Sequence, residues 1–91
     1  MNKRDVVDAV ASRLSRPKTE VAPAVDAVFM VITEALEHGE KVAISGFGNF
    51  EARQVAERTA RNPRTGESVV VPAHMAPKFK ASRNLREALG R

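Results

Sequence analysis

The sequence predicts an α+β fold with two N-terminal helices, antiparallel strands that extend into a long β-ribbon, and a C-terminal helix. Three observations lead to this prediction. Apolar residues recur at helical spacing over most of residues 1–38. Glycine and proline turn signals separate short runs of strand-forming residues between positions 41 and 80. Finally, a serine and two leucines at helical spacing lie close to the end of the chain.

The first helix is expected over residues 2–15. Asn2 is a suitable N-cap, and Asp5 falls at the third helical position, where a carboxylate complements the helix dipole. Val10 and Leu14 belong to a set of apolar residues that recurs on one helical face. The segment is therefore predicted to be a short amphipathic helix.

The second helix is expected to begin with Thr19 as its cap and to end before Gly39. Pro23 is expected in its first turn, because a proline further inside would cost about 3 kcal/mol. The apolar residues of this helix spread well beyond the usual arc of about 100°. One short helix and a small sheet cannot cover so wide a face, so we infer a second copy of the chain. A single tight monomeric core is the alternative.

A first strand is expected over residues 41–45, followed by a tight turn at Gly46-Phe47-Gly48 that needs two glycines. The second strand is expected from Asn49 onward, with Phe50 directed towards the core. This part of the chain is therefore predicted to be a β-hairpin that continues into the ribbon.

The ribbon is expected to consist of residues 51–60 and residues 67–80, paired through a turn that has Pro63 near its tip. Pro72 is compatible with this pairing because both strands of a ribbon are edges. About ten residues per strand reach roughly 30 Å. A hairpin that is poor in apolar residues and extends beyond its own core contributes little to stability, so we expect it to bind a partner.

The last helix is expected over residues 83–89. Ser82 can cap it, and Leu85 and Leu89 can hold it against the rest of the chain.

The charge distribution indicates a polyanionic partner. The chain carries 15 basic and 11 acidic side chains, for a formal net charge of +4. Residues 1–50 hold six basic and seven acidic side chains, whereas residues 51–91 hold nine and four. The positive field therefore belongs to the C-terminal half, which contains the predicted ribbon.

Several function classes are excluded by composition. The chain has no cysteine, and two isolated histidines, His38 and His74, cannot complete a metal site, so no cofactor is expected. No catalytic grouping or phosphate loop is present, so we do not expect an enzyme. The longest apolar run is far shorter than the roughly 20 residues of a membrane helix, and the charged N-terminus does not resemble a secretory signal. We therefore expect a cytoplasmic protein with no membrane partner.

Duplex DNA is the polyanion that fits the ribbon best. The chain has no Trp or Tyr, and its four phenylalanines lie at positions typical of a core, so stacking on single strands is disfavoured. Arginines on a ribbon can contact phosphates and minor-groove acceptors, and Pro63 is placed to enter between base pairs. The alternative interpretation of Pro63 is a turn residue with no further role.

Four motifs resemble the bacterial histone-like HU and integration host factor family, over the whole 91 residues. They are Met1-Asn2-Lys3, Gly46-Phe47-Gly48-Asn49-Phe50, Arg58-x-x-Arg61-Asn62-Pro63-Arg64-Thr65-Gly66, and Phe79 with Leu85. The resemblance implies a three-stranded antiparallel sheet extended into a ribbon arm and an intertwined dimer. It implies one domain over residues 1–91, with a dimer body of residues 1–50 and 76–91 and an arm of about residues 51–75.

The same resemblance implies a homodimer whose two arms enter the DNA minor groove, with tip prolines that intercalate and bends that compact the bacterial nucleoid. The DNA contacts carried over by position are Lys3, Arg53, Arg58, Arg61, Asn62, Pro63, Arg64, Thr65, Lys80, Arg83 and Arg86. The expected dimer core contains Phe29, Phe47, Phe50 and Phe79. Two alternatives stay open, namely a sequence-specific subunit of the integration host factor type and a dimeric basic protein that binds RNA or an acidic partner.

Overall fold

The computed structural model describes residues 1–90 and has the α+β composition that the sequence predicts. The elements in chain order are α1 (Lys3–Leu14), α2 (Lys18–Glu37), β1 (Val42–Ile44), β2 (Gly48–Val55), β3 (Arg58–Arg61), β4 (Ser68–Val71), β5 (His74–Ala81) and α3 (Arg83–Leu89). The chain divides into two compact units, Met1–Glu34 and Ala35–Arg91.

Helix α1 begins with the cap that the sequence predicts. The Oδ1 atom of Asn2 accepts a hydrogen bond from the Asp5 amide at 3.0 Å, and Oδ2 of Asp5 accepts one from the Asn2 amide at 3.0 Å. The amides of Asn2 and Asp5 have no acceptor within the helix, and these two side-chain bonds satisfy both of them.

Helix α2 begins earlier than predicted, so the assignments of Thr19 as its cap and of Pro23 to its first turn are wrong. The carbonyl of Pro17 accepts the first bonds, from the amides of Glu20 at 3.0 Å and Val21 at 3.2 Å. Pro23 is consequently the sixth helical residue and has no N–H to donate to the carbonyl of Thr19. Tertiary packing outweighs this local cost, because the same turn contributes a buried valine.

The core of the Met1–Glu34 unit is small. It consists of Val7 and Ala11 from α1 and Val21 from α2, with Val10, Ala22 and Val25 packed against them. Further along α2, residues 28–31 remain largely exposed, and Phe29 has 49% of its surface accessible. The wide apolar face predicted for this helix is therefore present, and its part over residues 28–31 is exposed in the single chain.

The end of α2 confirms the role predicted for Gly39. This glycine has φ of +76°. Its amide donates to the carbonyl of Leu36 at 3.0 Å, and the amide of Glu40 donates to that of Ala35 at 2.9 Å. These two bonds satisfy carbonyls that the last helical turn leaves without partners.

Strands β1, β2 and β5 form an antiparallel sheet in the order β1-β2-β5. Strand β1 is shorter than the predicted residues 41–45, and the turn after it has Gly46 at φ of +77°. Gly48 opens β2 and is needed for a different reason, because a Cβ atom there would lie 2.5 Å from a ring atom of Phe79. Only the first of the two glycines therefore serves the turn.

The ribbon is interrupted, whereas the sequence predicted two continuous strands. The β2–β5 ladder ends at the pair Val55–His74, and the β3–β4 ladder begins at the pair Arg58–Val71. Both strands advance by three residues between these pairs, so the register is retained across the gap. The gap contains Pro72, which has no N–H with which to continue the ladder.

Helix α3 has the predicted bounds and cap. The Oγ atom of Ser82 accepts a hydrogen bond from the Leu85 amide at 3.2 Å. The Ser82 amide donates to the carbonyl of Phe47 at 2.8 Å, which ties the start of the helix to the turn between β1 and β2. Within residues 1–90, no helix has the length and apolar character that a membrane crossing needs.

Candidate nucleic-acid interface

The β3–β4 ribbon ends in a four-residue tip loop, residues 63–66. The Asn62 amide donates to the carbonyl of Glu67 at 2.8 Å, and the Gly66 amide donates to the carbonyl of Asn62 at 2.8 Å. The Asn62 side chain accepts from the Arg64 amide at 2.9 Å, and the Thr65 hydroxyl accepts from the Glu67 amide at 3.2 Å. The loop is thus closed by its own hydrogen bonds, and all four of its residues are exposed, Pro63 and Arg64 among them.

Strand alternation separates two of the predicted arginines. Arg58 shares a face of the β3–β4 ribbon with its partner Val71, whereas Arg61 shares the other face with its partner Ser68. Both arginines are exposed. They can therefore reach the two walls of a groove that the ribbon enters, but they cannot grip the same phosphate from one side.

A second basic surface lies on one face of the three-stranded sheet. Lys80 pairs with Asn49 and Lys78 pairs with Glu51, so both lysines project on the same side of β5. Arg53, two residues beyond Glu51, projects on that side of β2. The sheet therefore places Arg53 and Lys80 on one face, and we call Arg53, Lys78 and Lys80 the sheet basic face.

Lys78 is absent from the residues that the sequence singled out. Its spacing of two from Lys80 within a strand was the available signal, because residues at that spacing share a face. This spacing is informative only if both residues are known to lie in one strand, and the pairing of β5 with β2 establishes that.

The opposite face of the same sheet is apolar. Phe50 and Phe79 are directly paired, with ring centroids 4.8 Å apart, and Phe47 lies 5.4 Å from Phe79. Phe47 and Phe79 nevertheless remain 46% and 42% exposed. In the single chain these rings form a cluster without a cover, and not the enclosed core that their positions suggest.

Two of the predicted DNA contacts form ion pairs with carboxylates of the same chain. Lys3 Nζ lies 2.8 Å from Asp26 Oδ1 in the Met1–Glu34 unit, and Arg83 Nε lies 2.8 Å from Glu87 Oε1 on α3. All four side chains are substantially exposed, and exposed ion pairs of this kind stabilise a protein by about 0 to 1 kcal/mol. A phosphate oxygen can replace these carboxylates at small cost.

Arg83 begins α3 and Arg86 lies about one turn further along the helix, and both side chains are exposed. The described part of the chain contains no cluster of three or more His, Cys, Asp or Glu residues that could hold a metal ion. The basic side chains of this surface offer guanidinium and ammonium groups, and the tip of the ribbon adds an exposed proline.

Residues 1–90 match the family model described as bacterial DNA-binding protein. The chain is 48% identical over 89 residues to DNA-binding protein HU of Staphylococcus aureus and, equally, to that of Geobacillus stearothermophilus. In each case the match covers 98% of this chain and 99% of the relative.

Solved structures of similar proteins share the fold. An Anabaena HU–DNA cocrystal structure superposes with a TM-score of 0.91 at 40% identity, covering 98% of this chain and 97% of that one. HU from Thermotoga maritima gives a TM-score of 0.69 at 34% identity, covering 98% of both chains.

Proposed function

The chain belongs to the bacterial DNA-binding protein family, and on that premise we propose that it binds and bends double-stranded DNA as an architectural protein with little sequence preference. The observation that carries the proposal is the tip of the β3–β4 ribbon. There an exposed proline stands at the end of a two-stranded element that presents arginines on both faces. Its relatives include DNA-binding proteins named HU, and one of the similar solved structures is an HU–DNA cocrystal, which agrees with a DNA partner.

The ribbon suits the minor groove for physical reasons. Guanidinium groups on both faces can contact the phosphates and the acceptors of the groove, while an apolar wedge between base pairs trades unstacking for a bend that brings more DNA against the protein. Pro63 is the wedge in this proposal. It is exposed and rigid, and it follows a residue that three hydrogen bonds hold in place.

The proposed DNA contacts fall into two groups. The arm group is Arg53, Arg58, Arg61, Asn62, Pro63, Arg64 and Thr65, and the body group is Lys3, Lys80, Arg83 and Arg86. To the body group we add Lys78, which shares the sheet basic face with Lys80. Removal of any one phosphate contact in this set should lower the dependence of log affinity on log salt by roughly one.

We propose further that two copies of the chain form the functional unit. Residues 1–50 and 76–91 are assigned to the dimer body, and about residues 51–75 to the arm. Support comes from the uncovered apolar surface of Phe29 on α2 and of Phe47 and Phe79 on the sheet. The role assigned to this unit is structural and not enzymatic, and its proposed site in the cell is the nucleoid.

The test separates two roles of the ribbon, namely intercalation by Pro63 and electrostatic binding of phosphates by the arginines. We expect Pro63→Ala to reduce the bend measured by end-to-end energy transfer and to narrow the preference for nicked over intact duplex, because only a bent complex gains from the wedge. Arg61→Ala should weaken binding to both duplexes alike, since a phosphate contact does not depend on bending. Thermal melting of the two variants serves as the control and should change little, because both residues are exposed.

Equal bending by the original chain and Pro63→Ala would remove the wedge from the mechanism. Binding to one particular duplex and not to random duplex would instead indicate a sequence-specific protein. Preference for RNA or an acidic protein over duplex DNA in competition would overturn the proposal as a whole.

A further inference from the structure

Asn62 differs from the other residues at the tip of the ribbon. It is half-buried, whereas Pro63, Arg64, Thr65 and Gly66 are all exposed. Its Oδ1 atom points back into the loop and accepts the amide hydrogen of Arg64 at 2.9 Å. The carboxamide oxygen is thus already used as an acceptor inside the protein, where it fixes the orientation of the Asn62 side chain.

The backbone of Asn62 is fixed as well. Its amide donates to Glu67 and its carbonyl accepts from Gly66, both at 2.8 Å. Pro63 follows directly, and its ring holds its own φ near −65°. The direction in which the ring leaves the ribbon therefore depends on the conformation of Asn62 and on the bond that draws Arg64 back across the loop.

We propose that Asn62 is a positioning residue, which sets the angle at which the Pro63 ring meets a base step by holding the Arg64 amide. The assignment rests on the proposed function and changes one part of it, because Asn62 then leaves the arm group of DNA contacts and acts through Pro63 instead. A loop that is ordered before binding loses little conformational freedom when the ring inserts. Loss of this order in a variant therefore lowers affinity, whereas loss of the ring angle lowers the bend of the complex that still forms.

The experiment uses the full chain and two substitutions at one position. Asn62→Ala removes the acceptor for the Arg64 amide, and Asn62→Asp retains an acceptor oxygen at the same place while adding a negative charge. Two quantities are measured. One is the hydrogen exchange rate of the Arg64 amide in the free protein, and the other is energy transfer across an end-labelled duplex at saturating protein.

For Asn62→Ala we expect Arg64 amide exchange to become about tenfold faster, because the protecting bond is lost. The bend at saturation should fall to the level of Pro63→Ala, and the double variant Asn62→Ala/Pro63→Ala should bend no less than Pro63→Ala alone. Asn62→Asp should restore slow exchange and the full bend at saturation, although its added charge weakens affinity. The matched control is Gln54→Ala, which removes an exposed carboxamide from β2 and should change neither quantity.

A bend that is unchanged in Asn62→Ala at saturation, with affinity alone reduced, would identify Asn62 as a DNA contact and overturn the assignment. Restored exchange without a restored bend in Asn62→Asp would overturn it too. Failure of the proposed function looks different, because the unsubstituted chain itself would then leave energy transfer across the duplex unchanged.

Discussion

At the scale of single residues, two neighbouring glycines meet different requirements. Gly46 has a positive φ in the turn between β1 and β2, where the nearest atom to an added Cβ would be Asn84 Nδ2 at 3.8 Å. Gly48 lies in ordinary extended backbone, but the Phe79 ring and the Lys80 carbonyl approach it closely. The first position therefore restricts backbone conformation, and the second restricts side-chain volume.

Substitutions at the two glycines should separate these requirements. We expect Gly48→Ala to lower the free energy of unfolding by about 1 to 3 kcal/mol, because the new Cβ would lie 2.7 Å from the Lys80 carbonyl oxygen and 2.5 Å from the Phe79 ring. Gly46→Asn should cost less than about 1 kcal/mol, since asparagine tolerates a positive φ. Urea unfolding of both variants measures the difference, and a larger loss for Gly46→Asn would contradict this account.

At the scale of the elements, the pairing register determines which charged side chains act together. Arg58 and Arg61 are three residues apart on β3 and lie on opposite faces, whereas Lys78 and Lys80 are two apart on β5 and share a face. Within a strand, an even or odd separation therefore decides whether two charged side chains share a face, and closeness in sequence alone does not.

This arrangement predicts how substitutions combine in DNA binding. The double variant Arg58→Ala/Arg61→Ala should lose the sum of the two single losses within about 0.5 kcal/mol, because the two side chains have no common phosphate. Lys78→Ala/Lys80→Ala should depart from additivity by more than that, because one phosphate can lie near both ammonium groups. Affinities of the four single and two double variants for one random duplex at fixed salt test the prediction. A large coupling between the arginines, or none between the lysines, would be inconsistent with it.

At the scale of the whole molecule, one chain buries only a small part of its large apolar side chains. Among residues 1–90 only three hydrophobic side chains are buried in the core, while Val28, Phe29, Phe47 and Phe79 are each more than 40% exposed. Exposed apolar area of this kind is typical of surfaces that associate. This distribution is the physical basis of the proposed dimer.

Dimerisation makes thermal stability depend on concentration. The melting temperature should rise with protein concentration, because only the folded chain associates. Phe47→Ala should then cost about 3 to 5 kcal/mol per chain, as for a ring in a filled core, although the ring is 46% exposed in the single chain. Calorimetry over a hundredfold range of concentration and sedimentation at micromolar concentration provide the measurements. A folded monomer at that concentration, or a Phe47→Ala cost below about 1 kcal/mol, would exclude the shared core.

Much of this protein could be predicted from the sequence. The three helices, the cap at Asn2, the C-terminal glycine of α2, the Ser82 cap and the turn around Pro63 follow from local chemistry, because each depends on residues within a few positions of one another. The positive charge of the C-terminal half follows from a count of its charged residues. The family resemblance follows from short motifs, each of which is contiguous or nearly so in the sequence.

Other features depended on tertiary structure, because they arise from residues that are distant in sequence. Pro23 lies inside α2 because packing around Val21 outweighs a local preference, and Gly48 is required by a ring 31 positions away. The faces of Arg53, Lys78 and Lys80 became defined only when β2 and β5 paired in one register. The inward bond of Asn62 requires a closed loop, whose geometry is determined by the strands that meet there. Local sequence determines which elements form, and strand register with side-chain packing determines which residues they bring together.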